Sequence, residues 1–345
     1  MADVERRLSD GSARYPAFRL VRDGGQVART EYSSDLPWRP DSFPGVADPA
    51  RIAALFERGA TIVLQALHHN WLPLAHFCRE LERELEHPAQ ANAYYTPRRA
   101  QGFAVHHDTH DVFVLQVAGE KHWRVYQPLL ELPLKDQRYT AALGAHGSPV
   151  LELTLRAGDT LYLPRGWLHD ALTSDSDSLH ITVGLNVYTW LDAFRDAVEQ
   201  LASDVELRRS VPDDGEGAAA LLSHLRAQLM PDEVTRRKRR RFIRSRRPIL
   251  NGQLAEVRGL TDVTVDTLVE RRPTVIAELD GATLAFEGKE LTFPDRVASE
   301  LHAIMAYEEP FSAAELSSPL DDEGRLVLVR RLIREGFLRR SAADA

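Results

Sequence analysis

Cysteine is nearly absent from this chain: Cys78 is the single one among 345 residues. One thiol excludes an intrachain disulfide framework and a multi-cysteine zinc site, and Cys78 itself is expected in the core. Long apolar runs are missing too. No stretch approaches the roughly 20 residues that span a bilayer. Met1 to Tyr15 scatters charges and has no apolar block, so neither a signal peptide nor a membrane anchor is expected, and the cytoplasm is the expected compartment. An excess of positive charge is also lacking: 51 acidic and 43 basic residues leave a net −8, which gives no general reason to expect nucleic-acid binding. No internal repeat is visible.

The charge that is present is unevenly spread. Nine of the twelve residues from Arg236 to Arg247 are Arg or Lys, whereas Asn251 to the end carries 18 acidic residues and 11 basic ones. The basic run has three readings: a solvated helix face, a cradle for RNA or an acidic partner, or a surface paired with the acidic C-terminal unit. Nine neighbouring cations repel one another, which favours a partner, and the internal acidic one is preferred to RNA.

A chain of 345 residues exceeds one ordinary core and is expected to form two or three units. The first fifty residues are rich in Pro, Gly, Asp and Ser and read as a loop-rich entry segment or a lid. Ala60–Ala66 reads as a buried strand. Leu72–Glu86 reads as a helix with Leu74, Phe77, Cys78, Leu81 and Leu85 at helical spacing. From Asn92 to Tyr188 short β-rich runs alternate with turn signals: Ala91–Thr96, Val112–Val117, His122–Tyr126, Val150–Leu155, Thr160–Leu163 and His180–Val187. That is the pattern of an all-β sandwich or barrel, with the Arg156–Asp159 and Pro164–Gly166 turns making jelly-roll corners. Trp190–Leu207 and Ala218–Met230 turn helical around a linker at Val211–Gly217. Beyond Asn251, helices around the strands Thr274–Leu279 and Ala282–Phe286, with Arg296–Tyr307 and Gly324–Glu335 helical, suggest a winged helix.

Chemistry concentrates in two places. His106-His107-Asp108-Thr109-His110-Asp111 is followed, 63 positions after His106, by Pro164-Arg165-Gly166-Trp167-Leu168-His169. On an extended strand His106 and Asp108 share a face, while His107 and Thr109 take the other and are assigned to structure. Thirteen histidines need no metal, but a clustered histidine and carboxylate completed by a distant histidine form the facial triad that leaves open positions on Fe(II). His106, Asp108 and His169 are the expected ligands. His110 has the right parity to compete, or to support the ligands through a hydrogen bond.

These residues carry a resemblance. NAYYTPRRAQGFAVHHDTHDVFVLQVAGEKHWRVY (92–126) and GDTLYLPRGWLHDALTSDSDSLHITVGL (158–185) resemble, in register, the ribosomal oxygenase branch of the JmjC family, which are cupin-fold, Fe(II)- and 2-oxoglutarate-dependent protein hydroxylases. Motif-level likeness covers roughly a third of the chain, and the order of parts resembles that family over most of it. The resemblance implies a JmjC/cupin double-stranded β-helix with an N-terminal extension over 1–189, a helical dimerisation segment over 190–250 and a winged helix over 251–345. It implies Fe(II), 2-oxoglutarate and O2 as cofactor and cosubstrates. Lys121, fifteen positions after His106, takes the place of the basic residue that receives the distal carboxylate of 2-oxoglutarate; a hairpin lysine in Gly119-Glu120-Lys121 is the plain alternative. Asn92 and Tyr94 match positions that contact the target side chain, although a strand tyrosine is more often core. His180 matches a histidine near the iron and is expected to support the ligands in preference to binding metal, while Arg165 and Trp167 are expected to shape the pocket rim, with a core anchor the alternative for Trp167. Gly184 departs from the family, whose ribosomal members commonly have a serine there that touches substrate, and this puts the target residue in doubt.

The expected activity is therefore hydroxylation of a protein side chain, a histidine or arginine of a ribosomal protein, by a homodimer. Specific DNA recognition by the C-terminal unit is not expected. Three rivals remain: the same chemistry on a peptide natural product or another protein, a zinc or manganese cupin acting on a small molecule, and a non-catalytic metal-binding scaffold. Lys121 and the choice of two histidines and one carboxylate argue against the last two.

Overall fold

Alternation of apolar and polar residues decides the architecture of the first part of the chain. The computed structural model describes residues 1–10, 13–36, 43–211, 217–316 and 319–341. These form two units, one of Met1–Glu82 with Ala89–Val187 and one of Arg83–Pro88 with Tyr188–Ala345.

In the first unit the strands are β1 (Phe18–Arg22), β2 (Gly25–Gln26), β3 (Ser33–Leu36), β4 (Phe43–Ala47), β5 (Thr61–Leu64), β6 (Ala89–Thr96), β7 (Asp111–Ala118), β8 (Glu120–Tyr126), β9 (Leu151–Arg156), β10 (Thr160–Leu163), β11 (Leu168–Leu172) and β12 (Ser178–Leu185). Seven make one antiparallel sheet in the order β10-β7-β12-β6-β5-β1-β2, and three make a second in the order β11-β8-β9. This is the two-sheet jelly roll of a cupin. The large sheet is apolar on both faces. Val112 and Val114 of β7 join Trp123 and Val125 of β8, Leu155 and Leu163 in the interior cluster. Ala91, Ala93, Leu179 and Val183 face a larger cluster built with Phe18, Leu20, Tyr32, Ile52 and Leu55.

The entry segment is thus no detached lid. Helix α1 (Ala2–Ser9) buries Val4 and Leu8, β1 joins the large sheet, and helix α2 (Pro49–Glu57), capped by Asp48, buries Ile52 and Leu55. Helix α3 (Leu72–Leu85) occupies the expected span but buries a different strip. Leu74, Ala75, Cys78, Arg79 and Glu82 are inside, while Phe77 and Leu85 are 45% and 38% exposed. Glu82 earns its buried place by accepting from Arg79 at 3.1 Å and from the Ala89 N–H at 2.9 Å. Two glycines in this unit are required by geometry. At Gly119, with φ 64°, a Cβ would fall 1.8 Å from the Asp177 carbonyl, and at Gly166, with φ 89°, 2.6 Å from the Leu130 carbonyl.

The second unit opens with helix α4 (Trp190–Gln200), started by a capping box between Thr189 and Asp192. Single 3-10 turns follow at Leu201–Ser203 and Glu206–Arg208, then helices α5 (Ala218–Gln228) and α6 (Pro231–Ser245). The expected linker between α4 and α5 lies, from 212 to 216, outside the described residues. The remainder holds helices α7 (Gln253–Arg258), α8 (Ala298–Ala306) and α9 (Asp322–Glu335). With them are strands β13 (Val269–Arg271), β14 (Ala277–Asp280), β15 (Thr283–Phe286), β16 (Lys289–Thr292) and β17 (Leu338–Arg340), paired as a β14-β15-β16 meander and a β13-β17 ladder. Leu284, Phe286, Leu301, Ile304, Val329 and Ile333 anchor its core. The basic run lies on α6, which buries Phe242 and Ile243 and pairs outward. Arg239 meets Glu86, Arg240 meets Asp280 at 3.0 Å, Arg241 meets Asp196 at 2.5 Å and Arg244 meets Glu290 at 2.9 Å.

Candidate metal centre and active site

Two chain segments remote in sequence are brought together by a single β-bridge. The His106 N–H donates to the His169 carbonyl at 3.1 Å and the His169 N–H donates back at 2.8 Å. His106 and Asp108 are expected on a strand, and here the structure corrects the sequence: β7 begins only at Asp111, and the segment before it forms no strand beyond an isolated bridge at His106. Its backbone is tied instead by the bridge and by the Gly166 N–H, which donates to the Asp108 carbonyl at 3.0 Å. His169, by contrast, lies on β11, a strand not anticipated from sequence because its buried residues include His169 and Asp170.

The metal-binding atoms of His106, Asp108 and His169 all lie within 4.8 Å of one another. His106 Nδ1 is 2.8 Å from the carbonyl of Ala104, and His169 Nδ1 is 3.1 Å from that of Trp167. Each ring is therefore held by the carbonyl two residues before it, with Nδ1–H donating and the Nε2 lone pair left for a cation. Burial, and then the nearby His106, push His169 down to about 4, so it is neutral and ready to ligate at neutral pH. At Asp108 burial opposes ionisation, but His169, His106 and His110 outweigh it and hold the carboxyl below its ordinary range. Two imidazoles and one carboxylate clustered in this way are the donor set of a facial triad.

Lys121 supplies the second half of the site. It shares strand parity with Trp123 and Val125, so the period that puts those side chains in the interior puts the ammonium there as well. Lys121 is 4% exposed, and its Nζ donates to Thr96 Oγ1 at 2.9 Å. Among the described residues no carboxylate pairs with it, and burial alone lowers its pKa to about 7. A buried cation with only a neutral acceptor is unsatisfied until an anion arrives.

Aromatic rings adjoin both the lysine and the triad. The His180 ring is stacked on Tyr94 at 4.8 Å and meets Trp123 at 5.4 Å, and Trp123 in turn is 5.9 Å from His169. Burial, then Lys121 and His169, push His180 far down, and its Nδ1 has no hydrogen-bond partner among the described residues. Desolvation and the Asp108 charge push the Tyr94 phenol up to about 12, so it remains protonated beside Thr182 and Asn92. Asn92 also accepts from the Ala66 N–H at 2.9 Å, pinning a non-glycine residue at φ 52°. Its amide is therefore half committed to the backbone.

Other expected residues sort as follows. His107 is turned away, its Nε2 3.0 Å from the Gln137 carbonyl, in keeping with a structural role. His110 is not among the ligand atoms; its Nε2 lies 3.0 Å from Gln90 Nε2. Arg165 gives its N–H to Asp111 at 2.8 Å, and Trp167 contributes the carbonyl that orients His169. Sequence reading missed Phe103, whose ring is 5.6 Å from His106 and 5.9 Å from Tyr94, and Arg19, whose guanidinium lies 5.3 Å over Phe103. It also missed Asp170, next to His169 and 1% exposed, which accepts from Arg124 at 3.0 Å, Tyr126 at 3.2 Å and Gln101 at 3.1 Å. Shared parity with Trp123 was an available signal for Lys121; nothing comparable marked Arg19.

A jelly roll holding two histidines and a carboxylate at this spacing defines a metal-binding cupin. Residues 66–193 match the family model for the JmjC domain. The chain is 40% identical over 140 residues to the bifunctional lysine-specific demethylase and histidyl-hydroxylase NO66 of Drosophila persimilis, covering 40% of this chain and 20% of that one. It is 38% identical over 179 residues to ribosomal oxygenase 1 of Gallus gallus, covering 49% and 30%. The match thus spans under a third of the length of these relatives. Among solved structures, YcfD, a ribosomal oxygenase from Escherichia coli, aligns with a TM-score of 0.55 at 17% identity over 99% of this chain and 90% of that one. The same bacterial protein in complex with cobalt and 2-oxoglutarate aligns with a TM-score of 0.53 at 18% identity over 98% and 89%. That likeness extends the agreement in fold beyond the JmjC segment.

Proposed function

We propose that this chain is an Fe(II)- and 2-oxoglutarate-dependent oxygenase that hydroxylates a side chain of a ribosomal protein. The observation that carries the reading is Lys121: a cation 4% exposed, without a carboxylate partner among the described residues, inside the barrel that holds the His106, Asp108 and His169 triad. A scaffold or a small-molecule metal cupin gives no reason to bury such a charge. A dicarboxylate cosubstrate does, since one end chelates the metal and the other needs a deep cation. The names carried by the relatives point to the same activity.

When bound, iron with 2-oxoglutarate and O2 supplies the oxidation: one oxygen atom enters succinate as the cosubstrate loses carbon dioxide, and the other becomes the hydroxyl of the product. This chain's residues position and shield that chemistry. His106, Asp108 and His169 would hold the metal, and three protein donors would leave coordination positions for cosubstrate and oxygen. Lys121, steadied by Thr96, takes the distal carboxylate, and the unpartnered Nδ1 of His180 stands near it as a further polar contact. Tyr94, Trp123 and Phe103 form the apolar wall that excludes water. No protein side chain need act as a general base.

Finer readings accompany this one. Trp190, Leu191, Phe194 and Val198 stand 72%, 40%, 47% and 57% exposed along α4, a stripe that supports the helical dimerisation segment and a homodimer. The helices with a three-stranded meander after Asn251 support a winged helix. The pairing of α6 with Glu86, Asp196, Asp280 and Glu290 favours the internal acidic partner over RNA for the basic run. No helix among the described residues is long and apolar enough to cross a membrane, and a cytoplasmic location remains the expectation.

The test is anaerobic titration of the purified protein with Fe(II) and 2-oxoglutarate, read as the weak visible charge-transfer band, beside His106→Ala and Lys121→Ala. A band lost in both variants is expected, followed by a 16 Da gain on a ribosomal protein under O2. No band in the parent protein with metal present sinks the assignment and moves the scaffold reading to first place.

A further inference from the structure

Gly184 is an ordinary strand residue by its backbone, paired with Gln90 of β6 on one side and Val112 of β7 on the other, and no left-handed φ calls for glycine there. What calls for glycine is space. A Cβ at 184 would lie 2.2 Å from His110 Cδ2 and 2.3 Å from His110 Nε2, closer than any non-bonded carbon tolerates. The His110 imidazole therefore occupies the volume that a side chain at 184 would fill. Gln90, directly across the ladder from Gly184, reaches the same ring with its amide nitrogen 3.0 Å from Nε2.

The position matters because of what shares it. Residues 180, 182 and 184 of β12 face the same way as Tyr94, Asn92 and Gln90, their partners on β6. His180 and Tyr94 form the wall beside Lys121, and His110 lies two residues beyond Asp108 of the triad. With the Gln90 amide donating to Nε2, the imidazole proton sits on Nδ1. That N–H has no partner among the described residues, and His110 is partly exposed.

We propose that His110, seated on Gly184 and held by Gln90, determines specificity by offering its Nδ1–H to a hydrogen-bond acceptor on the target side chain. Resting on the oxygenase reading above, this selects a histidine, whose neutral ring carries an acceptor nitrogen, over an arginine, whose guanidinium has donors only. It also accounts for glycine at 184: a serine there and the His110 ring exclude each other.

The experiment uses the full chain, with total bacterial ribosomal protein as the probe and mass spectrometry to locate each 16 Da gain. His110→Ala, His110→Gln, Gly184→Ser and the pair Gly184→Ser/His110→Ala are compared with the parent, and the anaerobic Fe(II)/2-oxoglutarate band is recorded for each. His110→Ala should keep the band and lose about tenfold in kcat/KM, carried mainly by KM, the scale of one hydrogen bond. His110→Gln, which keeps a donor, should recover part of that loss. Gly184→Ser should be impaired alone and relieved by His110→Ala, because the second change vacates the space. An intact band with parental rate and target in His110→Ala overturns the proposal alone, as does a Gly184→Ser protein of full activity. A parent protein without the band overturns the oxygenase reading and this proposal with it.

Discussion

Lys121 sets the pH behaviour of the site. Burial alone brings it from 10.5 to about 7, so above that pH the unliganded protein holds a neutral amine. A carboxylate beside it favours the charged form, so binding 2-oxoglutarate above pH 7 takes up a proton. The affinity for 2-oxoglutarate is therefore expected to weaken between pH 7 and 9, approaching about tenfold per unit, and to be flat below pH 7 until other groups titrate. Lys121→Met should remove that slope and weaken binding by about 10- to 100-fold, the worth of a buried charge-assisted hydrogen bond. Isothermal titration at several pH values decides it, and an unchanged slope in the methionine variant would refute the assignment. For the unliganded fold the sign is opposite. Between about 7 and 10.5 the unfolded chain carries this proton and the folded one does not, so Lys121 makes stability rise with pH there.

At the scale of elements, β11 does the most for the site with the fewest residues. Its Asp170 gathers Arg124, Tyr126 and Gln101 around one buried carboxylate, and the next residue back is the ligand His169. Asp170→Ala leaves three donors without their acceptor. A loss of roughly 3 kcal/mol in urea denaturation is expected, with metal affinity down about tenfold because the strand no longer fixes the ligand. Unchanged denaturation and metal titration would remove Asp170 from the account. The β-runs of the jelly roll were legible as alternation, since β6, β7, β8 and β12 each overlap the span read from sequence. β11 was not, because His169 and Asp170 are buried for reasons of ligation and ion pairing that a hydrophobic period does not register. The same blindness misassigned the inner strip of α3, where the pair of Arg79 and Glu82 takes places expected of Phe77 and Leu85.

For the whole molecule, α4 of the second unit carries an apolar stripe that is exposed among the described residues. Trp190→Asp with Phe194→Asp is expected to yield a monomer in sedimentation at micromolar concentration while the Fe(II)/2-oxoglutarate band persists. A parental sedimentation coefficient that already matches a monomer, or one unaltered by the substitutions, would end the dimer reading. The α6 arginines behave differently from the stripe. Several meet carboxylates of their own unit, so little of their charge is free to create a steep salt dependence of RNA binding.

The spacing of His106, Asp108 and His169, and the parity that Lys121 shares with Trp123, were determined by the sequence itself, because ligand chemistry and strand period are local properties. Composition likewise determined that no disulfide framework and no long apolar span exists to hold the fold. Only the tertiary structure decided that the entry segment becomes strand and core, that Asn92 pins a left-handed turn, and that His110 packs against Gly184 and Gln90 outside the cluster of His106, Asp108 and His169. Those outcomes depend on which side chains compete for one volume, and such competition has no one-dimensional signature: residues 90, 110 and 184 meet only after three strands have taken their register.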